Sequence, residues 1–206
     1  LETILIQQGK TEQAEMVRNI IPKGIDCIFV RQARQLGLGH AVLCSEKVVG
    51  QEPFALLLAD DFIASNGYNN TKSLIDAFDK TKKSQLSVMK VRDKNISKYG
   101  VIVRGHNEND VSGLVEKPVY DEAPSDLASI GRYVLTGDIF SILKSLNPGK
   151  GGEIQLADAI DEQAKKGLVK SVLLKGQRFD CGSVEGYIEA IKFVSQERAL
   201  LTGKTP

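Results

Sequence analysis

A three-layer α/β fold, with helices on both faces of a mixed, mostly parallel sheet and a small β-rich insertion, is predicted by three observations in the 206-residue sequence. Short β-rich runs alternate with helical patterns at both ends of the chain. Four β-like runs follow one another in the middle. The run FALLLA at 54–59 has no polar alternation, as expected of a strand covered on both faces of a parallel sheet. Residues 1–206 fit one domain of ordinary size, and no repeat, low-complexity tract or linker divides them.

The opening LETILIQQGKTEQAEMVRNIIP is polar and helical. Because it starts on Leu1 and has no charged-then-apolar leader layout, a fragment or incompletely represented chain is expected. DCIFV at 26–30 reads as a strand, followed by the loop RQARQLGLG and a helix over 40–49. The strand at 54–59 stops at Asp60 and Asp61. The helix expected over 70–83 has Leu74, Ile75 and Phe78 at helical spacing and Asn70 or Thr71 as its N-cap. Strands over 85–91, 100–104, 111–116 and 130–135 form the partly antiparallel middle. Helices over 136–146 and 153–166, a strand over 169–174 and a long helix over 184–201 complete the chain. The last helix carries an apolar stripe, Ile188, Ile191 and Val194, expected to face the core.

Composition narrows the function classes. Hydrophobic residues make up 42% and charged residues 26%, and no run of about 18 apolar residues offers a membrane span. Twenty-seven basic residues against 26 acidic ones provide no cationic field for a nucleic-acid backbone, although a nucleotide remains a compatible ligand. Cys27, Cys44 and Cys181 contain no C-x-x-C pair, which excludes a zinc framework and suits free thiols in a reducing cytoplasm. His40 and His106 stand alone without ligand spacing, so structural or solvated roles are expected for both.

Two carboxylates suit a hard cation. Asp60 ends an apolar strand, where open α/β sheets hold ligands, and Asp180 lies in the FDCG turn between a strand and the last helix. Together they resemble the pair from separate segments that commonly holds Mg²⁺ beside phosphate oxygens. Asp61 points to the other side of an extended backbone, so one of the two neighbours meets a given ion. Glu116 and Lys117, stopped by Pro118, place an acceptor beside a three-donor ammonium, a pair suited to a phosphosugar. Gly37, Gly39, Gly100 and Gly131 let backbone approach a base or a sugar ring, or simply make turns. Neither G-x-G-x-x-G nor G-x-x-x-x-G-K-[ST] occurs at the Gly37 loop.

In order, RQARQLGLGHAVLC, FALLLADDF, KYGVI, VEKP, SIGRYVL, GEIQLADAI and FDCGSVEGY resemble the bacterial UTP-glucose-1-phosphate uridylyltransferases over essentially the whole chain. The resemblance implies a Rossmann-like nucleotidyltransferase fold, Mg²⁺ as cofactor and a cytoplasmic homodimer or homotetramer. It implies that a phosphate oxygen of glucose 1-phosphate attacks the α-phosphorus of UTP, releasing pyrophosphate and forming UDP-glucose. By position, Gln32 matches a base-reading glutamine and Gly37 the backbone beside the uracil. Asp60 and Asp180 match the metal ligands; Gly100, Glu116 and Gly131 match glucose contacts; Lys117 matches the lysine on the sugar's phosphate. Asp61 is assigned to ribose, to glucose or to solvent. Ala59 stands where a proline often precedes the metal aspartate. The family's glycine-rich G-x-G-T-R loop does not occur in this sequence, so an exposed sheet edge and an inactive solitary chain are expected. The competing readings are a sister thymidylyl or cytidylyl enzyme, a non-catalytic regulatory paralogue, and a glycosyltransferase that consumes UDP-glucose. The last commonly has D-x-D, which Asp60-Asp61 lacks.

Overall fold

The computed structural model describes residues 1–65 and 67–202. Where the sequence suggests one domain over 1–206, the contacts group the chain into two compact units, Leu1–Arg31 and Gln32–Pro206. The first holds α1 (Glu2–Gln7) and α2 (Thr11–Arg18), joined through a turn at Gly9, whose φ of 72° is the conformation glycine tolerates best. Arg18 pairs with Glu2 at 2.6 Å across the two helices. The strand expected at 26–30 is not formed. That segment has no pairing partner among the described residues, and Phe29 is 94% exposed. A β-prone run without a partner cannot satisfy its backbone as a sheet does.

In the second unit α3 (Leu38–Cys44) and α4 (Glu46–Val49) replace the single helix expected over 40–49. Next come β1 (Phe54–Leu57), β2 (Asp61–Ala64), α5 (Asn70–Thr81) and β3 (Ser84–Lys90). The N-cap of α5 is Asn69 in place of the expected Asn70 or Thr71, its side chain accepting from the Lys72 N–H at 3.0 Å. The chain continues through β4 (Gly100–Arg104), β5 (Asp110–Glu116), β6 (Leu127–Leu135), α6 (Ile139–Ser145), α7 (Leu156–Lys165), β7 (Val169–Leu173), β8 (Gln177–Asp180) and α8 (Val184–Thr202).

Six strands form one mixed sheet in the order β1-β6-β3-β7-β5-β4. Of its neighbouring pairs only β3 with β7 is parallel, so the pairing is less parallel than the sequence suggests. β6 is the cause: it runs antiparallel between β1 and β3. β1 is therefore not the doubly covered parallel strand expected. It pairs antiparallel with β6 along one side, and alternate residues are exposed, Leu57 to 51%.

Alternation along β3 makes the three layers. Leu86 and Val88 enter the main core with Ile139, Phe140, Leu143, Leu156 and Ile160 from α6 and α7. Gln85, pointing the other way, donates to the Thr81 hydroxyl of α5 at 2.8 Å. α8 packs through Phe193 on Phe179 of β8, ring centroids 5.2 Å apart. Its stripe of Ile188, Ile191 and Val194 does not serve the core as expected; all three are exposed, because Ala190 and Phe193 lie on the face toward β8.

Two strands absent from the sequence reading, β2 and β8, form a separate antiparallel ribbon with Asp61 opposite Asp180. Each is only four residues long, too short for a period to stand out. The ribbon brings two segments distant along the chain side by side.

Candidate active site

A cleft of about 180 Å³ opens beside this ribbon. Its floor is one face of β6, Ser129, Gly131 and Tyr133, with Ile130 also at the lining. Gly100 of β4 and Glu116 of β5, opposite each other in register, form one wall. Leu38, Gln155, Leu156 and Ile160 form another, and Asp60, Asp61 and Arg178 close the ribbon end.

Asp60 and Asp180 meet at the rim. Oδ2 of Asp60 and Oδ1 of Asp180 each lie 3.2 Å from the point a β-carbon on Gly182 would occupy, so the glycine leaves room between two carboxylates from distant segments. The Cys181 N–H donates to the Asp60 carbonyl at 2.8 Å and holds the two turns together. Both aspartates are exposed, and their oxygens are hard donors of the kind Mg²⁺ takes. Among the described residues no group of three His, Cys, Asp or Glu forms a metal-holding cluster; the site offers two protein carboxylates.

Asp61 has a different fate from its neighbour. It is 4% exposed; Oδ1 accepts from Arg178 Nε at 2.5 Å, and Oδ2 accepts from the Gly131 N–H. At 4% exposure the solvent-facing role does not fit, and both oxygens are held by protein donors at the edge of the cleft. Arg132 reinforces the turn, donating to the carbonyls of Leu58 at 3.1 Å and Asp61 at 2.8 Å. Gly131 is required by this packing: an added β-carbon would stand 2.6 Å from Asp61 Oδ2 and 2.7 Å from the Leu58 β-carbon.

Burial raises the pKa of Glu116; nearby Asp158 pushes the same way and Lys117 opposes it. Burial also pushes the Tyr133 phenol up to about 12, so it stays a neutral donor. For Arg178 burial opposes the charge, but the Asp61 carboxylate outweighs it and the pKa lies above the ordinary value. Lys117 is exposed, its Nζ 3.8 Å from Glu116 Oε1. Its backbone has a φ of 47°, rare for a non-glycine residue, and its N–H donates to the Tyr99 carbonyl at 3.0 Å. That conformation turns the residue after Glu116 out of the strand.

Gln32 and Gly37 are not among the cleft-lining residues. The Gln32 amide donates to the Gly37 carbonyl at 3.0 Å and contacts His40 Nδ1 at 2.9 Å. Gly37, at φ 90°, and Gly39 make room for another backbone: an added β-carbon would meet the Ile154 carbonyl oxygen at 2.8 and 2.7 Å respectively. The GLGHA segment is thereby strapped to GEIQL, with the Gly39 N–H donating to Ile154 at 2.9 Å. The three cysteines are free.

Sequence reasoning passes over Arg178, Tyr99, Tyr133 and Gln155, all at the cleft. No signal marked Arg178 along the chain, because β8 is too short for its period to be read; once formed, the strand puts Arg178 on the face of Asp180. Tyr99, just before β4, and Tyr133, on β6, carry no mark either, because only the sheet order brings them together.

A mixed sheet lies between helical layers, with acidic turns at one end of the cleft, an α/β architecture with a ligand-sized cleft at the sheet. A model of the nucleotidyl transferase family matches residues 2–197, and the chain belongs to that family. It is 44% identical over 185 residues to a Pseudomonas aeruginosa UTP–glucose-1-phosphate uridylyltransferase, covering 87% of this chain and 66% of the relative. A Haemophilus ducreyi protein of the same name is 40% identical over 200 residues, 92% of this chain and 68% of that one. Among solved structures the chain is similar to a UDP-glucose pyrophosphorylase complexed with UDP-glucose, TM-score 0.82 and 42% identity, covering 93% of this chain and 73% of that one. The chain spans 66% and 64% of two Pseudomonas aeruginosa relatives, just under two thirds of their length. No helix among the described residues is long and apolar enough to cross a membrane.

Proposed function

We propose that this protein is a UTP–glucose-1-phosphate uridylyltransferase: an oxygen of the glucose 1-phosphate forms a bond to the α-phosphorus of UTP, the bond to pyrophosphate breaks, and UDP-glucose results. The observation that carries the reading is the approach of Asp60 and Asp180 at Gly182, on the rim of the cleft whose wall is Gly100 and Glu116. The names of the relatives, uridylyltransferases from several bacteria, support the choice of substrates.

In this reading Asp60 and Asp180 hold Mg²⁺, which when bound supplies positive charge to the non-bridging phosphate oxygens. Lys117 binds the phosphate of the sugar. At an effective dielectric near 20, an ammonium about 4 Å from an anionic oxygen is attracted by roughly 4 kcal/mol. Glu116 accepts from glucose hydroxyls, and Gly100 keeps the wall flat enough for the ring, since a β-carbon there would stand 3.1 Å from Glu116 Oε2. Gln32 and Gly37, although outside the lining of that cleft, are assigned to the uracil, the amide being held by the Gly37 carbonyl and His40. Transfers of this type depend on alignment and charge neutralisation more than on covalent help. With the reading go a cytoplasmic setting and a homodimer or homotetramer.

The test is turnover of UTP and glucose 1-phosphate by the full-length protein against a panel containing dTTP and CTP. Preferential release of pyrophosphate with UTP supports the reading; preference for dTTP or CTP replaces it with a sister enzyme. Loss of turnover in Asp180→Asn with an unchanged melting temperature excludes a merely regulatory paralogue.

A further inference from the structure

Arg178 touches both ends of the cleft at once. Nε and Nη2 face the buried carboxylate of Asp61, and Nη1 donates to the Tyr99 hydroxyl at 2.9 Å while lying 3.8 Å from Asp180 Oδ2. The guanidinium also lies over the Tyr99 ring, 5.2 Å from its centroid. Tyr99 in turn holds Lys117, by accepting its backbone N–H at 3.0 Å, and is followed by Gly100, whose register partner is Glu116.

From this geometry we infer that Arg178 is a positioning residue that fixes the Asp60–Asp180 carboxylate pair relative to the Glu116–Lys117 wall. The inference rests on the reading of the cleft proposed above and adds a residue to it. β2 and β8 are a two-stranded ribbon outside the six-stranded sheet, so their place beside β4 and β5 is not set by that sheet's hydrogen bonds. Gly131 and Arg132 tie Asp61 to β6, and Arg178 with Tyr99 adds the link toward β4 and β5. The side chain of Arg178 is 11% exposed, buried with its partner, and a planar fork spans Asp61 and Tyr99 in a way that a single ammonium does not. Charge balance for Asp61 would be met by either lysine or arginine; the span requires the fork.

Three variants separate these functions: Arg178→Lys, Tyr99→Phe and the double variant. Arg178→Lys keeps a cation beside Asp61 and is expected to fold, with kcat down at least tenfold and KM for UTP within threefold of wild type. Tyr99→Phe keeps the ring and removes the accepting hydroxyl; kcat falls threefold to tenfold with the melting temperature unchanged. Because both act through one link, the double variant is no slower than Arg178→Lys. Mn²⁺ alone, followed by electron paramagnetic resonance, binds Arg178→Lys at least fivefold more weakly than wild type. Wild-type kcat in both single variants, or multiplicative losses in the double variant, overturns the inference. If Arg178→Lys does not fold, Tyr99→Phe decides alone. Should wild-type protein fail to use UTP and glucose 1-phosphate, the substrate reading falls, while the Mn²⁺ measurement still decides the positioning role.

Discussion

Asp61 and Arg178 are withdrawn from water with every carboxylate oxygen engaged, whereas Asp60 and Asp180, one and two residues away along the same ribbon, stand exposed at the rim. The pair at the floor is held by geometry: each charge is compensated by the other, and removing either strands its partner. The pair at the rim carries two like charges, and among the described residues Arg178, 3.8 Å from Asp180, is the cation that approaches it, which favours a ligand over an internal partner. One residue of chain thus separates a structural charge from a binding one: Asp61 is turned onto Arg178 and the Gly131 N–H, while its neighbour Asp60 stands exposed at the rim.

The largest expected effect breaks this contrast from the buried side. Asp61→Ala leaves the Arg178 cation uncompensated and is expected to cost about 3–5 kcal/mol of stability, measured by urea unfolding. Asp60→Ala, at the exposed rim, leaves the unfolding midpoint in place while abolishing turnover of the full-length protein. Equal destabilisation by the two substitutions would erase the distinction between floor and rim. Next in size, Gly131→Ala forces a β-carbon against Asp61 and Leu58; overpacking of this kind costs roughly 1–3 kcal/mol, read as a lowered midpoint with no change in the denaturant slope.

A third measurement sharpens the comparison with a chelator. Removing divalent ions with EDTA stops turnover and lowers the melting temperature only by the metal's own binding linkage, leaving the protein folded, because the rim carboxylates take no part in the core. The smallest effect concerns pH. Glu116 has a raised pKa because of burial, so the folded state holds its proton more tightly than the unfolded chain does. Its cost to stability is absent well below the ordinary glutamate range, grows as pH rises through that range, and is complete above the raised folded value. Glu116→Gln is therefore expected to gain stability relative to wild type between acid and neutral pH, as followed by unfolding at a series of pH values. A constant difference across the series would assign the wall a different balance of forces.

Much of this was legible along the chain. Helical spacing located α5, α7 and α8, β-rich runs located β3, β4, β5 and β7 to within a residue or two, and the acidic turns at Asp60 and Asp180 stood out because each ends a β-type run. These signals are local: they depend on the period of side chains within one element. The failures were of the opposite kind. The run at 26–30 has strand composition but found no partner, and the stripe on α8 has core composition but faces outward. Whether an apolar face is covered depends on what lies opposite it, which no single segment records.

The sequence by itself determined most of the long helices and sheet strands, the family to which they belong, and the residue types available for a metal and a phosphosugar. Only the tertiary structure decided that Asp61 is a buried partner of Arg178 while Asp60 approaches Asp180, and that Tyr99 ties the carboxylate end to Lys117. The physical reason is sequence separation: Asp61 and Arg178 are 117 residues apart, and their bond exists because β2 and β8 pair in one register. A shift of one residue in that register would turn every side chain of the ribbon to the opposite face.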